Sequence, residues 1–134
     1  MKKRVSKEEM YMRIAEIASL RSTCKRLQVG SIVINSDFTN ILAMGYNGNY
    51  MGGPNECDND EPGNCGCLHS EVNAIAKCNN MDKNKILFVT NQPCKMCAKL
   101  IINSGFMRVY YRKSYRLKEG IELLKSAGIN VIQL

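Results

Sequence analysis

The sequence predicts a three-layer α/β/α sandwich around a mixed five-stranded sheet, with the last two strands parallel. Three observations lead there. Apolar residues recur at helical or strand periods in the order α-β-β-α-β-α-β-α-β along the 134 residues. Helices and strands alternate through the second half, the pattern of parallel strands joined by helical crossovers. The length fits one domain around one core, expected here over residues 1–134.

Taken in order, Ser6-Lys7-Glu8-Glu9 has the form of a capping box, with Ser6 as the cap and Glu9 three residues on. Met10, Ile14, Ile17 and Ala18 follow at helical spacing, so a helix is expected over about 6–21. Val29 to Asn35 and Ile41 to Tyr46 are β-rich runs, and the polar Ser36-Asp37-Phe38-Thr39-Asn40 between them suits a hairpin loop. The stretch from Asn47 to Gly66 is rich in Gly, Pro and Asn. It is too long for a bare connection in a compact domain, so it is expected to wall a pocket. Leu68 to about Asn79 reads as a helix and Ile86 to Asn91 as a strand. Cys94 to Asn103 reads as a helix ending near Gly105, a residue suited to a helix stop. Met107 to Tyr111 is a strand, Leu117 to Ala127 a helix stopped by Gly128, and Asn130 to Leu134 the last strand.

Hydrophobic residues make up 45% and charged residues 23%, ordinary values for a soluble globular protein. The basic start, Met1-Lys2-Lys3-Arg4, has no apolar run behind it, which argues against a secretory signal. No stretch approaches the length of a membrane span. Seven cysteines without an export signal fit free thiols and metal ligands better than a disulfide framework. A cytoplasmic protein without a membrane partner is therefore expected. The net charge of +7 is scattered along the chain, mild support for an anionic substrate.

Two stretches carry chemistry only when taken together: His69-Ser70-Glu71 and Pro93-Cys94-Lys95-Met96-Cys97. A catalytic zinc takes three protein ligands and keeps a fourth position open. His69, Cys94 and Cys97 offer one nitrogen and two thiolates. Pro93 suits the first turn of a helix, where its missing N–H costs nothing. Cys94 and Cys97, three residues apart, then share one helix face, and the positive end of that helix favours their thiolate forms. Glu71 lies two residues from His69, need not be a ligand, and is free to move protons. Cys-x-x-Cys alone also fits half of a structural zinc site or a redox pair. A structural site wants four protein ligands, however, and this chain has one His. A redox pair gives no work to an upstream His-x-Glu. The resemblance of this paired pattern to zinc deaminases implies Zn2+ as the cofactor and Glu71 as the catalytic residue.

His-x-Glu followed by Pro-Cys-x-x-Cys resembles the pattern of zinc deaminases that act on nucleobases. Arg26-Leu27-Gln28-Val29-Gly30, Gly45-Tyr46-Asn47-Gly48, Thr90 through Lys99, and Tyr115 extend the resemblance to the deoxycytidylate (dCMP) deaminase family, within the cytidine deaminase superfamily. The resemblance implies hydrolytic deamination of dCMP to dUMP, a precursor of thymidylate, with release of ammonia. It also implies a homo-oligomer. Carried over by position, Asn47 would bind the sugar hydroxyl, Arg26 the phosphate, and Tyr115 would help close the pocket. The chemistry is apt, since Arg presents a planar fork to phosphate oxygens and Asn offers a hydroxyl both donor and acceptor. The plain alternatives are a surface charge for Arg26, a turn residue before Gly48 for Asn47, and a half-buried core ring for Tyr115.

The chain departs from the family at Ser70, commonly Ala, a small change expected to be tolerated, and at Tyr50, often Pro. Tyr50 lies beside the loop that takes part in the effector site of members regulated by dCTP and dTTP, and the change there argues against such regulation. Some members carry a second, structural zinc in the region of Cys57, Cys65 and Cys67. Three thiolates are one short of a closed site. Cys24 or Cys78 can supply the fourth, and buried free cysteines are the plain reading.

Two other functions share parts of this pattern. A polynucleotide deaminase acting on tRNA adenosine or single-stranded DNA cytosine has the same zinc motif, and Pro93 through Ala98 is similar to tRNA adenosine deaminases. Against it, the chain has no Trp and no basic stripe interleaved with aromatics on which bases stack. A zinc-stabilised binding module needs a closed metal site and leaves Glu71 without work.

Overall fold

The computed structural model describes residues 2–61 and 64–134. The elements are α1 (Lys7–Ser19), β1 (Gly30–Ile34), β2 (Ile41–Tyr46), α2 (Ser70–Lys77), β3 (Lys85–Asn91), α3 (Lys95–Asn103), β4 (Phe106–Lys113), α4 (Glu119–Ser126) and β5 (Asn130–Gln133). The strands form one sheet in the order β2-β1-β3-β4-β5. β1 runs antiparallel to both β2 and β3. β3 and β4 are parallel, as are β4 and β5. The sheet is thus mixed and five-stranded, as its sequence pattern implies.

Side chains alternate between the two faces of a strand. β1 and β3 are buried at every position, so both faces there are covered. On one face α1 sets Met12 and Ala15 against Ile32, Ile34, Phe88 and Tyr110. The Phe88 and Tyr110 rings stack with centroids 4.6 Å apart. On the other face α2, α3 and α4 set Ala74, Ile101 and Leu124 against Val33, Leu87 and Val109. Gly45 fixes how close α2 comes to the sheet. A Cβ there would stand 2.5 Å from the Ala74 nitrogen and 2.6 Å from the Ser70 carbonyl oxygen, so any other residue would push the helix away.

The capping box is half made. The Ser6 hydroxyl accepts the Glu9 N–H at 3.1 Å as expected. The Glu9 carboxylate does not turn back on Ser6. It accepts hydrogen bonds from both Arg112 Nη atoms, at 3.0 and 2.7 Å, and from Arg13 Nε at 3.0 Å. A bidentate guanidinium is a stronger partner than one amide. It ties α1 to β4 and draws the Glu9 pKa down to about 2.

Several boundaries also differ from their expected places. The first helix ends at Ser19, and β4 is longer at both ends. Three helices start later than expected, at Ser70, Lys95 and Glu119. Two of these late starts belong to the site. Among the described residues, no helix is long and apolar enough to cross a membrane.

Candidate active site

β3 ends at Asn91, and Gln92 and Pro93 lead directly into α3. The residue before a proline is steered away from helical conformation, so the chain turns at Gln92. Cys94 is extended, at φ −73° and ψ 173°, and caps the helix by accepting the Cys97 N–H on its sulfur at 3.5 Å. His69 is likewise extended and stands at the cap position of α2. The expected helices began one residue too early at Cys94 and two residues too early at Leu68. In particular, Cys94 and Cys97 do not share a helix face, and Pro93 precedes the first turn. A thiolate accepts hydrogen bonds as the usual capping residues do, and that local contest is invisible to helical periodicity. The outcome aims the positive ends of both helices at one spot.

At that spot His69 Nδ1 lies 3.2 Å from Cys97 Sγ and 3.5 Å from Cys94 Sγ. All three donor atoms fall within 4.8 Å of one another. A tetrahedral zinc with Zn–N near 2.0 Å and Zn–S near 2.3 Å needs N···S edges of about 3.5 Å. The donor set and its spacing therefore fit a tetrahedral ion with one corner left over. Hydrogen bonds from Cys97 and His69 draw the Cys94 thiol down to about 3. Cys97 is driven up by the Cys94 sulfur beside it and by burial. His69 is raised chiefly by its bond to Cys94. A divalent cation held by these three side chains would take over the role of the shared protons.

Glu71 sits beside the three donors, on the first turn of α2, and is 4% exposed. Burial raises its pKa, against the opposing pull of its own amide and of His69. Its Oε1 accepts the Ser70 hydroxyl at 3.0 Å.

A cavity of ≈ 260 Å³ opens over this group, and its lining includes Arg26, Asn47, His69, Glu71, Cys94 and Tyr115. Every residue expected to act on a ligand thus reaches one hollow, except Cys97, which lies buried behind it. Asn47 is turned inward. Its Oδ1 accepts the Val29 N–H at 2.8 Å and its Nδ2 donates to the Leu27 carbonyl at 2.6 Å. One N–H and one lone pair remain beyond this latch on the entry to β1. Arg26 is exposed and donates to the Glu61 carbonyl at 3.2 Å. Tyr115 is 41% exposed, and burial of the rest of the ring raises its pKa.

Gln92 was not singled out in the sequence. Its Oε1 accepts the Tyr115 N–H at 2.7 Å and Lys118 Nζ at 3.0 Å, while its Nε2 donates to the Leu117 carbonyl at 2.5 Å. It holds the segment carrying Tyr115 over the cavity. The one signal was its place between a strand end and a proline.

A second cluster lies in the loop wall. The sulfurs of Cys24, Cys57, Cys65 and Cys67 fall within 4.8 Å of one another. Cys57 and Cys67 are 3.7 Å apart, Cys24 and Cys57 3.8 Å, and Cys24 and Cys65 3.9 Å. Of the two residues offered as a fourth member, the structure brings in Cys24. Cys78 ends α2 and packs on the larger core instead. Burial opposes ionisation of Cys24, but the Leu27 and Arg26 amides and the neighbouring thiols bring it down to about 7.

Residues 5–113 match the family described as the cytidine and deoxycytidylate deaminase zinc-binding region. The chain is similar to deoxycytidylate deaminase of Saccharomyces cerevisiae, at 32% identity over 97% of the chain and 45% of that protein. It thus spans less than half the length of this relative. ComE operon protein 2 of Bacillus subtilis is 33% identical over 98% of the chain and 72% of that protein. Among solved structures, dCMP deaminase from the cyanophage S-TIM5, in complex with dCMP and dUMP, superposes with a TM-score of 0.86 at 36% identity, covering 99% of this chain and 100% of that one. With the zinc-binding region matched over most of its length, the chain belongs to the cytidine and deoxycytidylate deaminase family.

Proposed function

We propose that this protein is a zinc-dependent aminohydrolase that converts dCMP to dUMP with release of ammonia. The observation that carries the reading is a buried carboxyl, Glu71, set beside a three-donor metal group at the floor of a cavity. The likeness to a dCMP deaminase holding dCMP and dUMP supplies the substrate. His69, Cys94 and Cys97 would hold the zinc, which when bound acidifies water and so makes a nucleophile at neutral pH. Glu71 takes one proton from the attacking water and passes it to N3 as oxygen adds at C4. It then takes the second proton from the new C4 hydroxyl and hands it to N4. The C4–N4 bond breaks, ammonia leaves, and the C4 carbonyl of dUMP remains. A carboxyl whose pKa burial has raised is suited to both halves of this exchange. Arg26 is assigned the phosphate, Asn47's remaining N–H and lone pair the sugar hydroxyl, and Tyr115 the lip of the cavity. A homo-oligomer is part of the same reading.

Ammonia release compared across cytidine, deoxycytidine, CMP, dCMP, dCTP, 5-substituted dCMP and a single-stranded oligonucleotide tests it. The 5′-monophosphates of deoxycytidine are expected to exceed deoxycytidine in kcat/KM by roughly tenfold or more, the worth of a charge-assisted phosphate contact. Turnover confined to the oligonucleotide would contradict the reading and favour the polynucleotide alternative.

The four-thiol cluster is assigned a second, structural zinc. A tetrahedron with Zn–S near 2.3 Å has S···S edges of about 3.8 Å, and the three sulfur pairs above stand at 3.7, 3.8 and 3.9 Å. A disulfide would need sulfurs about 2.05 Å apart. The Lys25 N–H points at Cys57 Sγ at 3.5 Å. Such a centre would clamp Cys24, just ahead of Arg26 and Leu27, to the loop that leads into His69. Cys57→Ala is therefore expected to lower zinc content from two equivalents to one, matching the two donor groups. It should also lower Tm by roughly 10 °C and raise KM for dCMP while kcat persists. Unchanged zinc content and Tm would contradict this assignment.

A further inference from the structure

Glu71 does not stand alone in its pocket wall. Ser70 Oγ donates to Glu71 Oε1 at 3.0 Å, and Ser31 Oγ lies 2.6 Å from Ser70 Oγ. Ser31 sits on β1 and Ser70 is the first residue of α2. Both are wholly buried, at 0% exposure. Two hydroxyls in a packed interior are costly unless bonded; these two are bonded to each other, and Ser70 also to the carboxyl.

The direction of the chain follows from counting hydrogens. A serine hydroxyl carries one hydrogen. Ser70 gives its hydrogen to Glu71, so the short bond between the serines must be donated by Ser31. The chain therefore runs Ser31 to Ser70 to Glu71 Oε1. Reversal would turn the Ser31 hydrogen outward, and among the described residues Ser31 Oγ has no other side-chain partner. The two oxygens of the carboxyl are thus inequivalent: Oε1 is held as an acceptor, and the other oxygen is left to carry protons.

We propose that Ser70, itself held by Ser31, is a positioning residue that locks the rotation of the Glu71 carboxyl and reserves its second oxygen for proton transfer to the nucleotide. The inference rests on the deaminase reading of Glu71. It adds a device built by a β1 residue and an α2 residue that approach closely because Gly45 lets the helix settle on the sheet.

The test uses zinc-loaded Ser70→Ala, Ser31→Ala and the double variant. Ser70→Ala is expected to lower kcat on dCMP roughly fivefold or more, the loss of one hydrogen bond to a charged group. KM for dCMP should stay within about twofold, since both hydroxyls are wholly buried. Ser31→Ala should lower kcat less, and the double variant should be no slower than Ser70→Ala, because both act through one carboxyl. A readout apart from turnover is the infrared carboxyl band of Glu71 in 13C-glutamate protein, isolated by subtracting Glu71→Gln. That band should shift in Ser70→Ala. Wild-type kcat with an unmoved band in Ser70→Ala would overturn the proposal, as would independent multiplication of the two single losses. If the wild-type protein released no ammonia from dCMP, the deaminase reading would fail. The infrared band would still decide whether Ser70 holds Glu71.

Discussion

Glu71→Gln is expected to keep its zinc and to lose turnover on dCMP by roughly 10²–10⁴-fold, the usual worth of a positioned acid–base group. The amide matches the carboxyl in shape and can accept the Ser70 hydrogen through its oxygen. It cannot take a proton from water or give one to N3. Stability should not suffer. Glu71 is 4% exposed and burial already raises its pKa, so a neutral group of the same size is no harder to bury. The measurements are ammonia release per zinc-loaded chain and thermal unfolding. Near-full turnover in this variant would remove Glu71 from the reaction. A large fall in Tm with a proportionate loss of zinc would make its role structural.

Cys97→Ala is expected to abolish both metal retention and turnover at the first site. Cys97 is 1% exposed and lies 3.2 Å from His69 Nδ1. Without it the zinc keeps two protein ligands, where catalytic sites use three. Turnover should fall by roughly 10³-fold or more, since the loss removes the metal's nucleophile together with the partner of Glu71. Cys94→Ala should behave alike and also strip α3 of its cap. The contrast with Cys57→Ala is informative. Each variant is expected to lose one of two zinc equivalents, but only the first-site variants lose the chemistry. Equal turnover in the Cys57 and Cys97 variants would mean that the two clusters have been assigned the wrong tasks.

Most of the fold was legible because burial leaves a periodic trace. The fully buried β1 and β3 carry the apolar runs Ile32 to Ile34 and Ile86 to Val89, and the alternation after them sets the parallel half of the sheet. The candidate metal donors were legible for a different reason, since His, Cys and Glu at these spacings have few other uses together. What escaped was whatever depends on a contest between partners. Glu9 satisfies the pattern of a capping box, yet Arg112, 103 residues away, takes its carboxylate. Cys94 satisfies the pattern of a helical residue, yet its sulfur caps the helix from outside. Cys24 and Cys78 were equal candidates for the four-thiol group, and only the tertiary fold separates them. Ser31 sits in an apolar strand with no local sign that its hydroxyl meets Ser70. Asn47 is placed at the cavity as expected, but much of its amide holds Leu27 and Val29.

Diffraction recorded at the zinc absorption edge from crystals of the zinc-loaded protein addresses the central claim most directly. The anomalous peak at the first site should be bonded by His69 Nδ1 at about 2.0 Å and by Cys94 Sγ and Cys97 Sγ at about 2.3 Å. No fourth side chain should reach it, and Glu71 should stand beside it unbonded. A peak closed by a fourth protein ligand, or one coordinated by Glu71 itself, would rule out an open zinc position served by Glu71.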